Sequence, residues 1–137
     1  MSQSPMLRQQ LLLVDDEEDI LLELAEMLEG EGFYCHTATS VRSAIDLLLL
    51  HPNIALVVTD LRMPEESGMR LIQRLRAHTN KQHLPVIVTS GHADMDDVID
   101  VLRLNVIDFF RKPIYLERLV DVIKAQFPQT QLKLVSN

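Results

Sequence analysis

The stretch Ile54-Ala-Leu-Val-Val-Thr59-Asp60 decides the fold, because it is the strongest strand signal in the chain. Five successive apolar residues are typical of a strand that is buried on both faces of a parallel sheet. The run ends in an acid, Asp60, and the apolar run Gln10-Leu-Leu-Leu-Val14 ends in the acidic pair Asp15-Asp16. We therefore predict two buried strands, each followed by carboxylates.

Short apolar runs alternate with segments of helical periodicity along the rest of the chain. Within the helical segments, apolar residues lie three and four positions apart. Ser40 is a predicted N-cap, and Asn105 is expected to end a helix in the left-handed conformation. The predicted strands are 10–14, 33–37, 54–59, 84–89 and 106–110, and the predicted helices are 17–29, 41–50, 69–77, 94–104 and 115–126.

Five β–α units in succession predict an α/β fold, a parallel sheet with helices on both faces. A length of 137 residues is enough for about one domain. The net charge of −7 argues against direct nucleic-acid binding, because an acidic surface repels phosphate backbones. The apolar runs are too short for a membrane span, so we expect a cytoplasmic protein.

Polar side chains that are capable of binding or catalysis follow the predicted strands at one end of the sheet, where open parallel sheets bind ligands. They are Asp15, Asp16, Asp60, Ser90 and Lys112. Three carboxylates in one cleft repel each other, and Mg2+ relieves this because it binds carboxylates together with water or phosphate oxygens. A lysine and a hydroxyl add donors that suit a phosphoryl group. The pattern predicts a phosphoryl-accepting site.

Four motifs, in this order, resemble the receiver domain of bacterial two-component response regulators. They are Val14-Asp-Asp-Glu-Glu18, Val58-Thr-Asp-Leu-Arg-Met-Pro64, Val88-Thr-Ser-Gly91 and Asp108-Phe-Phe-Arg-Lys-Pro113. The resemblance covers residues 8–127, with residues 1–7 as a leader. It implies a five-stranded parallel sheet of flavodoxin-like order 2-1-3-4-5 and a cis Lys112–Pro113 bond.

By this resemblance, Asp60 is the residue that accepts a phosphoryl group from a phosphohistidine. The donor is a sensor histidine kinase or a phosphotransfer protein, and the cofactor is Mg2+. The implied metal ligands are Asp15, Asp16, Asp60 and the backbone carbonyl of Arg62, while Lys112 pairs with the phosphoryl oxygens. The domain is then a switch and not an enzyme on external substrates, since it catalyses only its own phosphorylation and dephosphorylation.

Two further pairs of residues have implied roles in switching and in phosphoryl lifetime. Ser90 and Phe109 are the implied switch residues, although two registers are conceivable at the fourth strand. Counting from the proline that opens the strand favours Ser90, and Thr89 remains the alternative. Arg62 and His92 lie where the family tunes the lifetime, and we hypothesise that their bulk slows loss of phosphate.

The implied readout surface comprises helix 94–104, strand 106–110 and helix 115–126. It includes Arg103, Phe109 and Arg111. We hypothesise that this face forms a homodimer or docks an output partner. The partner is an output domain in the same longer chain or a separate effector, and residues 128–137 are a tail or the start of a linker to such a domain.

Other functions fit the residues less well. An aspartyl-nucleophile phosphatase needs a second acid two residues after the nucleophile, where this chain has Arg62. A flavin- or nucleotide-binding module needs a phosphate loop after the first strand, but the acids at 15–18 repel phosphate. A degenerate receiver that acts as a phosphorylation-independent interaction module is the remaining alternative. Asp15 or Asp16 taken singly also suits the start of a helix, which favours negative charge.

Overall fold

The computed structural model describes residues 8–91 and 95–128, in which five strands alternate with five helices. The strands are β1 (Gln10–Val14), β2 (Tyr34–Ala38), β3 (Ile54–Asp60), β4 (Val86–Ser90) and β5 (Asp108–Arg111). The helices are α1 (Glu18–Gly30), α2 (Val41–Leu50), α3 (Gly68–Ala77), α4 (Met95–Leu102) and α5 (Leu116–Ala125).

The strands form one parallel sheet in the order β2-β1-β3-β4-β5, which confirms the predicted fold class. Alternate residues of the central strands face two separate apolar layers. Leu12, Val57 and Val88 pack with residues of α2, α3 and α4, whereas Leu11, Leu56 and Ile87 pack with residues of α1 and α5. Both faces of β3 are therefore buried, as its apolar run predicted. None of the helices in the described ranges has the length and apolarity that a membrane span requires.

Three local predictions are confirmed. The Ser40 hydroxyl oxygen accepts a hydrogen bond from the Ser43 N–H at 3.1 Å and caps α2. Asn105 has a φ of 57°, the left-handed conformation expected after α4. The Lys112–Pro113 peptide bond is cis, as the resemblance implied.

Several predicted element bounds were wrong, and the largest errors, of two residues, lie at the starts of β4 and β5 and at the end of α4. β4 begins at Val86 and not at 84, because Pro85 has no N–H to donate to a neighbouring strand. β5 begins at Asp108 and not at 106, because the chain first has to leave the left-handed turn at Asn105. Its approach to the sheet starts with the Ile107 N–H, which donates to the Val86 carbonyl oxygen at 2.8 Å.

The helices of the predicted readout surface are also shorter than expected. α4 ends at Leu102, so Arg103 lies in the turn that follows, and position 94 lies outside the described residues. α5 runs from Leu116 to Ala125, and Tyr115 is its N-cap. The starts and ends of the first three strands and the first three helices lie within one residue of their predicted positions.

Arg76, in the last turn of α3, hydrogen-bonds to the segments that lead into β4 and β5. Its guanidinium donates to the carbonyl oxygens of Leu84 and Leu104 at 2.7 Å each and to that of Asn105 at 3.3 Å. These carbonyls belong to the approach to β4 and to the turn between α4 and β5. Arg76 therefore holds the C-terminal end of α4 on the body of the domain.

Candidate functional site

Three carboxylates meet at the carboxyl ends of β1 and β3. Asp15, Asp16 and Asp60 each offer a carboxylate oxygen, and these oxygens lie within 4.8 Å of one another. Asp15 and Asp60 are 4% and 5% exposed, whereas Asp16 is exposed. The order of the sheet explains the meeting, because β1 and β3 are neighbours at the point where the strand order reverses.

Lys112 brings a positive charge to these carboxylates from the end of β5. Its Nζ donates a hydrogen bond to Asp15 Oδ2 at 2.8 Å and lies 3.5 Å from Asp60 Oδ2 and 3.8 Å from Glu17 Oε1. The Lys112 N–H donates to the Ser90 carbonyl oxygen at 2.9 Å, which ties the lysine to the end of β4. The structure thus brings together four residues that are up to 97 positions apart.

The charges of this cluster are imperfectly balanced. Burial, followed by the charge of Asp15, raises the pKa of Asp60, and these effects outweigh Lys112 and the Leu61 N–H. Burial by itself lowers the pKa of Lys112, but the hydrogen bond to Asp15 and the charges of Asp60, Asp15 and Glu17 outweigh it and raise that pKa. The lysine is therefore firmly charged, while Asp60 is an anion held at an energetic cost.

We expect Asp60→Asn to raise the free energy of unfolding in magnesium-free buffer at neutral pH by about 1–2 kcal/mol, because the variant buries no charge at this position. The raised pKa means that the folded domain binds the Asp60 proton more tightly than the unfolded chain does. The native domain therefore gains stability from this group as pH falls through the raised pKa, and the advantage of the variant shrinks.

Urea denaturation of both chains across pH 4–8 measures this difference. Adding Mg2+ should stabilise the native chain more than Asp60→Asn. Equal stabilities of the two chains at every pH would contradict the expectation.

Asp15 serves both the helix start and the cluster. Its Oδ1 accepts a hydrogen bond from the Glu17 N–H at 2.9 Å, just before α1, while its Oδ2 accepts from Lys112. The N-cap of α1 is Glu17, whose side chain makes no capping hydrogen bond. One carboxylate oxygen of Asp15 therefore serves the start of α1, as the alternative interpretation held, and the other oxygen binds Lys112.

The donor set suits a hard divalent cation. All three groups are carboxylates, and an ion of the Mg2+ type prefers oxygen ligands and keeps several waters. The exposed position of Asp16 leaves one side of the cluster open to water or to a phosphoryl group. The Lys112 charge does not neutralise three carboxylates, so a cation would relieve the remaining repulsion.

The backbone around Asp60 is held by contacts that the sequence did not reveal. The Leu61 N–H donates to Asp60 Oδ1 at 2.9 Å, and the Thr59 hydroxyl donates to the Asp60 carbonyl oxygen at 2.9 Å. The Gly68 N–H donates to the Leu61 carbonyl oxygen at 2.8 Å. A β-carbon on Gly68 would collide with the Asp60 backbone carbonyl, so only glycine fits here. Its position directly before the predicted helix 69–77 was the available signal.

The end of β4 places Ser90 and Thr89 on opposite sides of the sheet. Thr89 is paired with Asp60 in the register and follows Ile87 on the α1 and α5 side. Ser90 follows Val88 on the other side, where Phe109, the partner of Val88, packs against the core residues of α2, α3 and α4. Both Ser90 and Thr89 are buried. The register thus places Ser90, and not Thr89, on the same side as Phe109.

Arg62 reaches away from the acidic cluster to α4. Its Nη2 donates to Asp97 Oδ2 at 3.1 Å, and both side chains are partly exposed. From the sequence, Asp97 is one of several acids that suggest only a solvated helix face, and its ion pair with Arg62 corrects that interpretation. His92, the other predicted tuning residue, lies outside the described residues.

Known proteins resemble this chain over most of its length. A family model described as the response regulator receiver domain matches residues 11–124. The two-component response regulator PprB of Pseudomonas aeruginosa is 36% identical over 110 residues, which are 80% of this chain and 40% of that protein. The transcriptional regulatory protein FixJ of Rhizobium meliloti is 36% identical over 103 residues, which are 74% of this chain and 48% of that protein.

A solved structure agrees with this similarity. The crystal structure of a response regulator receiver protein from Pseudomonas putida matches with a TM-score of 0.83 at 35% identity, and the match covers 86% of this chain and 97% of that one. The chain spans half or less of the two curated relatives and nearly all of this receiver protein. By sequence and by fold, the chain belongs to the receiver domains of two-component response regulators.

Proposed function

We propose that this receiver domain is a phosphorylation-controlled switch whose acceptor is Asp60. The observation that carries the proposal is a buried carboxylate that shares one pocket with two further acids and a lysine, with the lysine Nζ 3.5 Å from Asp60 Oδ2. An Asp60 oxygen attacks the phosphorus of a phosphohistidine, the phosphorus–nitrogen bond breaks, and the imidazole leaves. The donor is a sensor histidine kinase or a phosphotransfer protein.

The other site residues prepare Asp60 for this reaction. Burial and the neighbouring acid favour a reaction that moves negative charge from the buried carboxylate to outer phosphoryl oxygens. Lys112 then exchanges part of its contact with Asp15 for a phosphoryl oxygen, to which an ammonium is a strong hydrogen-bond donor. A Mg2+ held by Asp15, Asp16, Asp60 and the Arg62 backbone carbonyl would neutralise phosphoryl charge.

The proposed switch residues link the acceptor to α4. The Ser90 hydroxyl hydrogen-bonds the new phosphoryl group, and Phe109, half-buried on the same side of the sheet, repacks with it. Such contacts exist only in the phosphorylated state, and only contacts of this kind shift a two-state equilibrium. The switch is therefore driven by what Ser90 and Lys112 gain on phosphorylation.

The readout surface in this proposal is the α4–β5–α5 face, formed by Met95–Leu102, Asp108–Arg111 and Leu116–Ala125. Exposed apolar and basic side chains lie on or beside it: Ile99, Leu102, Arg103, Arg111 and Tyr115. We propose that it pairs with a second copy or with an output partner. A receiver domain at 31% identity and a TM-score of 0.78 is described as a beryllofluoride-activated dimer.

The output partner is either a domain in a longer chain or a separate effector. The two curated relatives are about one and a half to two times as long as this chain, and one of them is named a transcriptional regulatory protein. In the first case, residues 128–137 lead into the linker. A cytoplasmic location follows from the proposed kinase, which draws its phosphoryl group from ATP.

Incubation with acetyl phosphate and Mg2+, followed by intact-protein mass spectrometry, tests the acceptor. We expect the native chain to gain one phosphoryl group, and neither Asp60→Asn nor the native chain with EDTA to gain any. An equal gain in the native chain and in Asp60→Asn would move the acceptor elsewhere. No gain in the native chain would favour the phosphorylation-independent interaction module.

Light scattering on the same samples shows whether phosphorylation changes the oligomeric state. Where it does, Arg111→Glu should weaken the association, and an unchanged association would contradict the role of the α4–β5–α5 face.

A further inference from the structure

Among the described residues, the contacts that attach α4 to the domain lie mainly at its C-terminal end. Among its side chains from 96 to 102, Val101 alone is fully buried. Arg76 holds the turn that follows α4 through the carbonyl oxygens of Leu104 and Asn105. The first turn instead has the ion pair between Arg62 and Asp97, at 3.1 Å, as a link to the loop that follows the acceptor strand.

Arg62 is two residues from Asp60, so a phosphoryl group on Asp60 places a new anion close to the base of the arginine side chain. Phosphorylation adds a charge of about −1.5 to −2 at neutral pH, whereas Asp97 carries a single negative charge. A guanidinium also matches a phosphoryl group with two parallel hydrogen bonds. The Asp97 pair is weak by comparison, because the side chains are 57% and 34% exposed and water screens them.

We propose that Asp97 is a positioning residue of the acceptor site: it holds the Arg62 guanidinium on α4 in the unphosphorylated domain and yields it to the phosphoryl group on Asp60. Phosphorylation then removes this ion-pair link to the first turn of α4, while Arg76 keeps the turn that follows α4 in place. The inference rests on the proposed function, since it assigns a regulatory contact to the same site.

Hydrogen exchange of the whole unphosphorylated chain tests the resting ion pair. Asp97→Asn and Arg62→Gln should each speed the exchange of α4 amides, by roughly two- to fivefold. The double variant should exchange no faster than the faster single variant, because each single substitution already removes the ion pair between Arg62 and Asp97. Asp96→Asn is the matched control, since Asp96 also lies in the first turn but is exposed, and it should leave the exchange unchanged.

The same measurement after treatment with acetyl phosphate and Mg2+ tests the exchange of partners. α4 amides of the native chain should reach the rates of Asp97→Asn, and Asp97→Asn should gain no further increase. The phosphoryl half-life is a readout that a purely structural role would not move. Without Asp97, Arg62 stays on the phosphoryl group and shields it from water, so Asp97→Asn should lose phosphate roughly two- to fivefold more slowly.

The two hypotheses fail in different ways. In the unphosphorylated domain, two results would overturn the ion pair as a link to α4. One is that Asp97→Asn exchanges at native rates, and the other is that the effects of the two single substitutions add in the double variant. If Asp97→Asn changes the phosphoryl half-life as much in the Arg62→Gln variant as in the native chain, then Asp97 does not act through Arg62. Absence of any mass gain in the native chain would overturn the proposed function, and the exchange of partners with it.

Discussion

Gly68→Ala is expected to lower the free energy of unfolding by about 3 kcal/mol and to displace the acceptor strand. The added methyl group would collide with the Asp60 backbone carbonyl, and backbone at the end of a central strand moves only with its neighbours. The hydrogen bond from the Gly68 N–H to the Leu61 carbonyl, at 2.8 Å, would then lengthen or break. Urea denaturation monitored by circular dichroism measures the loss.

Gly30→Ala is the matched control for this substitution. Gly30 ends α1, and a β-carbon there would meet nothing within 4 Å. We expect this variant to be unchanged or to gain up to about 1 kcal/mol, because alanine restricts the unfolded chain more than glycine does. A Gly68→Ala variant as stable as Gly30→Ala would show that the Asp60 carbonyl is not confined as the structure indicates.

Lys112→Ala is expected to be the most damaging change within the acidic cluster itself. Without its ammonium group, Asp15 and Asp60 remain buried with no cation within salt-bridge distance among the described residues. Breaking a buried pair costs about 3–5 kcal/mol, and the 17% exposure of the lysine side chain reduces our expectation to about 2–3 kcal/mol in magnesium-free buffer. Urea denaturation with and without Mg2+ measures it, and Mg2+ should restore more stability here than in the native chain.

The same variant should gain a phosphoryl group from acetyl phosphate about 100-fold more slowly, because a positioned donor to the transferred group is missing. Lys124→Ala is the control, since Lys124 forms a partly exposed pair with Glu31, at 2.6 Å, at the C-terminal end of α1. Its denaturation midpoint and its rate of phosphorylation should remain those of the native chain. If both lysine variants behave alike, Lys112 does not balance the cluster.

The arrangement of elements was predictable because each strand and helix has its own local pattern. The apolar run that ends in Asp60 identified a buried strand, and the rule that parallel strands bind ligands at their carboxyl ends gathered Asp15, Asp16 and Lys112 around it. The order of the strands was not contained in those patterns. Alternation of strands and helices predicts a parallel sheet without specifying neighbours, so the order came from the family resemblance.

What the sequence did not reveal depends on how side chains and backbone meet in space. Arg76 looks like an ordinary surface arginine of α3, yet it binds three carbonyl oxygens of distant segments. Asp96 and Asp97 are adjacent acids that the sequence alone does not distinguish. Only the packing of α4 against the domain brings Asp97 within hydrogen-bonding distance of Arg62. The need for glycine at position 68 can be recognised only once the position of the Asp60 carbonyl is known. Such contacts follow from the assembled fold and leave no periodicity in the chain.

The long separation between Asp15 and Lys112 has a consequence for biosynthesis. Ribosomes deliver the three carboxylates before the lysine, which directly follows the edge strand β5 and lies 97 positions after Asp15. Until that last strand adds to the sheet, the nascent polypeptide holds its acids without this counter-ion and has little reason to bury them. The acidic cluster is therefore completed late in synthesis, when nearly all of the domain has left the exit tunnel.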